Sequence, residues 1–152
     1  MNDLLQAVRS WLWVPLLWVL VYPITVAAGV IVGVAFGEFY YVWGTLLLVP
    51  LIVAPVTYRQ LVGGGCSVRF QICALVKGML AGFVLLLITM YMDPLVWTSL
   101  SSVVGWNPLL PVTDELVYYV WLFSATIGGM GARVVEVRGY SEPANITIAG
   151  FE

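Results

Sequence analysis

Four apolar stretches dominate this chain and fix what it can become. They cover 11–36, with no charge between Arg9 and Glu38; 39–58, ended by Arg59; 72–92, carrying only Lys77 near its start; and 116–132, between Asp114-Glu115 and Arg133. A helix needs about 20 apolar residues to cross about 30 Å of hydrocarbon, whereas a barrel strand shows alternating segments of about 10. The stretches are continuous rather than alternating, and they predict an all-α integral membrane protein with four transmembrane helices. The composition agrees: 62% of the 152 residues are hydrophobic and 9% charged, against about 25% charged in a soluble domain. Residues 1–133 form the expected transmembrane domain, and 134–152 a polar tail. The first stretch follows Arg9 and contains Val26-Ala27-Ala28, features shared with cleavable signals. Signal h-regions span only about 7–15 residues, so a span is the expectation here.

The charges set the orientation. With four spans, Arg9, Arg59, Arg69, Arg133 and Arg138 share one side, and Lys77 lies nearest to it. Glu38, Asp93, Asp114 and Glu115 share the other, which has no basic residue. Cytoplasmic loops carry the excess of Lys and Arg, which predicts both termini inside. The tail is then cytoplasmic, and its Asn145-Ile146-Thr147 sequon is not a glycosylation site. Its alternating, strand-prone run around Ile146 and Ile148 suits β-addition to a partner.

Between the third and fourth spans, Asp93 reads as an N-cap and Pro94 as the first residue of a separate helix. Val96, Trp97, Leu100, Val103 and Val104 recur at helical spacing, with Thr98, Ser99, Ser101 and Ser102 on the other face. This pattern predicts a short interfacial helix on the outer surface, with Trp97 and Trp106 at headgroup level and Leu100 and Val104 on its apolar side. A segment dipping into the membrane is the alternative.

Much chemistry is excluded by residue type. The chain has no histidine and a formal charge of −2, which removes imidazole-based triads, His-ligated metals and a basic surface for nucleic acid. Cys66 and Cys73 are not a CxxC pair, and the Gly63-Gly64-Gly65 loop lacks the ending of a P-loop. Asp114 and Glu115 are placed to favour the start of the fourth helix. No catalytic, cofactor or metal site is expected. Arg59, Arg69 and Lys77 are candidates for holding an anionic lipid headgroup.

Small residues spaced by four provide the clearest packing signal: Gly29, Gly33 and Gly37 in the first span, Gly78 and Gly82 in the third, Ser124 and Gly128 in the fourth. Such spacing lets helix backbones approach closely, either within one chain or between chains. Pro15, Pro23, Pro50 and Pro55 are expected to open their helices locally. Glu38 is the only acid near the first hairpin and falls at a span end; a proton-coupled exporter needs its carboxylate nearer the middle. Aromatic groups at the span ends fit interfacial belts.

These features favour a non-enzymatic subunit or structural element of a larger membrane assembly, whether respiratory or photosynthetic, a secretion or conjugation apparatus, or a viral membrane. The partners are then the bilayer and other membrane subunits, or further copies of the chain. The location is a prokaryotic-type cytoplasmic membrane or a viral membrane. The alternative is a small homo-oligomeric channel or transporter with Glu38, Thr45 and Pro50 along its path.

Overall fold

The computed structural model describes residues 11–37, 40–62, 74–105 and 114–141, with side chains of the last segment described over 116–138. Four helices occupy them: α1 (Trp13–Phe36), α2 (Tyr41–Leu61), α3 (Ala74–Val104) and α4 (Asp114–Ser141). Each contains a segment long and apolar enough to cross a membrane. The first two helices start without a side-chain cap.

The exterior is apolar, unlike that of a soluble bundle, around a core that includes Val14, Val21, Val49, Val53, Leu85 and Trp121. Leu16, Leu20, Ile31, Val34, Leu47 and Leu51 all point outward, each more than half exposed. Threonine, serine, glycine and alanine concentrate inside, with Thr25, Thr57, Thr89, Ser124, Ala81 and Ala125 all buried. Lipid tails are as apolar as leucine, so helices gain little by hiding leucine and more by letting small residues meet.

α4 is the central element, packing extensively against α2 and α3, while α1 lies mainly on α2 and meets α3 less closely. Glycines mark the approaches. A Cβ added at Gly78 would lie 2.9 Å from the Gly129 Cα, and one at Gly82 would lie 2.7 Å from the Leu122 carbonyl oxygen, so α3 and α4 touch backbone to backbone. Gly44 of α2 meets Gly29 of α1 in the same way, at 2.8 Å from its nitrogen. Gly128 sits against α2, where a Cβ would be 2.5 Å from the Ala54 carbonyl oxygen. Gly33 and Ser124 are buried within the bundle. Gly37 acts differently. At φ 110° it closes α1, donating its N–H to the Gly33 carbonyl. Most of the small-residue faces are thus occupied within the chain itself.

At one end, Leu61 of α2, Ala74 of α3 and Ala132 of α4 pack together, with Trp13 of α1 against them. The helices therefore alternate in direction, and Arg59, Lys77 and Arg133 gather toward this end. Arg59 is exposed and Lys77 half-buried. Arg133 pairs with Glu136 at 3.5 Å, a surface contact one turn apart that contributes little. Arg69 lies outside the described residues, as do Ile146 and Ile148 of the tail.

The separate interfacial helix expected after Asp93 is not what the structure has. α3 runs unbroken for 31 residues with Pro94 inside it, about 46 Å at about 1.5 Å per residue. The hydroxyl groups of this part bond back onto the helix itself. Thr98 donates to the Pro94 carbonyl, Ser99 to Leu95, Ser101 to Thr98 and Ser102 to Ser99. Each hydroxyl is satisfied by its own helix and needs no water, the usual accommodation of Ser and Thr in apolar surroundings. Trp97 points inward and is only 4% exposed. Leu100 and Val104 are half-buried beside α1, and Trp106 lies outside the described residues.

Replacing Gly128 with alanine is expected to lower bundle stability by about 1–3 kcal/mol, the scale of overpacking a tight contact. Thermal unfolding in detergent would check it, and an unchanged midpoint would contradict the close α2–α4 approach.

Candidate functional site

The polar residues of α1 and α3 meet in a two-rung ladder. Trp18 Nε1 donates to Thr89 Oγ1 at 2.9 Å, and Tyr22 Oη donates to Asp93 Oδ1 at 2.5 Å. Both pairs are separated by 71 residues, and the rungs are one turn apart on each helix. The two helices therefore run parallel. The Trp18 and Tyr22 rings stack at 4.5 Å with an interplanar angle of 18°. Large aromatic side chains thus bridge a gap between helices whose backbones stay apart.

Asp93 is the unexpected member. From the sequence it belongs to the outer side, as the cap of a new helix; in the structure it is 7% exposed within α3. An Asp-Pro pair starts a helix or sits inside one, and only the neighbouring chain decides which. Here the partner is Tyr22, nine residues after Trp13 and fourteen before Phe36, near the middle of α1. Asp93 itself lies about two thirds of the way along α3, level with the first turns of α2 and α4; a carboxyl group buried inside a membrane bundle is expensive unless partnered, and such residues mark functional sites more often than structural ones.

Around the ladder lies a small cavity of about 20 Å³. α1 contributes Tyr22, Thr25 and Gly29; α2 contributes Tyr41 and Thr45 from its first turns; α3 contributes Thr89, Asp93 and Trp97; and α4 contributes Val117 and Trp121. All four helices reach it. Thr25 donates to the Tyr22 carbonyl at 2.8 Å and Thr89 to the Leu85 carbonyl at 2.8 Å. Trp97 meets the Tyr41 ring edge-on at 5.9 Å. Trp121 is fully buried, and its Nε1 has no hydrogen-bond partner. Among the described residues, no group of three acids or cysteines is placed to hold a metal ion.

The residues named from the sequence fall into three groups. Thr45 lines the cavity, half-buried. Pro50 is half-buried within α2 but does not line it. Glu38 lies outside the described residues. The sequence pattern does not single out Asp93, Tyr22, Trp18 and Trp121 as a site. The signal it does carry is the run Thr89, Asp93, Trp97 at spacings of four, facing Trp18, Tyr22 and Thr25 in the first span.

A second concavity opens beside the first. α1 and the C-terminal part of α3 border a groove of about 670 Å³, lined by Val26, Val30 and Ile31 on one wall and Val96, Leu100 and Val103 on the other. Tyr22 and Val26 border both spaces. The arrangement is a polar interior site with an apolar approach from the side.

Tyr22→Phe removes the donor to Asp93 and is expected to destabilise the bundle by about 1–2 kcal/mol. Combining it with Asp93→Leu should cost less than the sum of the two single changes, because no buried carboxyl group is then left to satisfy. Strict additivity in detergent unfolding would argue against the Tyr22–Asp93 bond.

No protein-family model matches this chain, and no curated protein or solved structure matches it either.

Proposed function

We propose that the chain is a non-enzymatic multi-pass membrane protein that works as a small channel or transporter through the site at Asp93. One observation carries this reading: a buried carboxyl group, partnered by a tyrosine and lining a cavity to which all four helices contribute. An ionisable group buried within a membrane bundle is expensive to keep, and such groups mark proton and ion pathways. Asp93, Tyr22 and Thr45 are the proposed residues of the path; Pro50 does not line the cavity, and Glu38 lies outside the described residues. The gathering of Arg59, Lys77 and Arg133 toward one end supports an orientation with both termini cytoplasmic, in a prokaryotic-type cytoplasmic membrane or a viral one.

The second reading, a subunit or structural element of a larger membrane assembly, keeps one specific support. The groove between α1 and α3 is apolar throughout and shaped for another helix or a lipid chain. The glycine faces lend it less support, since most of them are occupied by contacts inside the chain. Arg59, Arg69 and Lys77 remain the proposed contacts for an anionic headgroup.

Purified protein in proteoliposomes, assayed for proton and monovalent-cation flux, tests the first reading. Asp93→Asn should abolish the flux. Absence of flux, together with stoichiometric foreign subunits in the intact particle extracted with mild detergent and weighed, would instead establish the assembly reading.

A further inference from the structure

The cavity holds an unanswered donor. Trp121 lines it, is fully buried, and has an indole N–H without a partner. An indole nitrogen can only donate, so it calls for an acceptor. On another wall stands Asp93, which accepts from Tyr22 through Oδ1; a carboxylate has two oxygens and about four acceptor sites in all. Thr25 and Thr89, which also line the cavity, give their protons to carbonyl groups of their own helix, and the Thr89 oxygen already accepts from Trp18. The space between these groups measures about 20 Å³. A single water needs about 10–15 Å³ and two to four polar partners.

We propose that this cavity is a binding site for one water molecule, which accepts from the Trp121 indole N–H and donates to Asp93, joining α4 to the ladder between α1 and α3. The mixture of donor and acceptors selects the occupant. A bare sodium or potassium ion needs oxygens on every side and gains nothing from an indole N–H, which can only donate. Water plays both roles. An organic solute does not fit in the space. The ionisable groups lining the cavity are Asp93 itself, Tyr22 from α1 and Tyr41 from α2; α4 contributes only Val117 and Trp121, neither of them ionisable. Occupancy by water stands on the cavity alone. Its consequence for transport, that the site exchanges a proton rather than a metal cation, rests on the channel or transporter reading above.

The test uses the full chain in lipid nanodiscs with indole-labelled tryptophan. The Trp121 N–H resonance, identified by its loss in Trp121→Phe, should show magnetisation transfer from water. Asp93→Asn should shift this resonance, and exchanging sodium for choline should leave it unchanged. Absence of transfer from water, or a shift that follows sodium concentration, would overturn the proposal. Should Asp93→Asn fail to fold, Tyr22→Phe supplies the same perturbation from the opposite wall, and the water and sodium measurements on the unaltered chain remain decisive. A water-bound Trp121 in a protein without flux would sustain the site and remove the transport reading alone.

Discussion

Within hydrocarbon, a polar group has no solvent to fall back on, and this one constraint organises the bundle. It turns four hydroxyl groups of α3 back onto their own helix. It also sends Trp18 and Tyr22 across a gap to Thr89 and Asp93. The first solution is local and leaves the helix surface effectively apolar. The second is long-range and ties the first helix to the third. The two together account for why one half of α3 is locked into the bundle while the other can border an open apolar groove.

The apolar stretches make the number of helices and their approximate places legible, because length and hydropathy are properties of each segment alone. The end of the third helix is not legible in the same way. Asp93-Pro94 followed by a run of hydroxyl residues has the local features of a capped surface helix, and the same residues serve equally well inside a long one. The difference lies in Tyr22, 71 residues away. The site is hidden for the same reason: local pattern puts Asp93 at a boundary and does not single out Trp121, whereas both are buried in the interior. Thr45 is visible in the sequence, but beside Pro50 rather than opposite Asp93.

The small-residue faces are visible as spacing but not as partners. Gly29 meets α2 at Gly44 and Tyr41, Gly78 and Gly82 meet α4, and Gly128 meets α2. Spacing by four shows that a helix can be approached closely, not which helix does so. Gly37 shares the spacing and serves another end, since its positive φ terminates α1.

The constant 71-residue offset of the ladder also makes sliding of α1 along α3 unequal in its two directions. A displacement of one turn that brings Trp18 opposite Asp93 would keep the carboxyl group supplied with a donor, at the loss of the Thr89 rung. The opposite displacement would bring Tyr22 to Thr89 and set Asp93 against Val26, which has nothing to donate. Considering these two helices alone, the register is a one-way catch, tolerant of slippage in one sense and closed to it in the other.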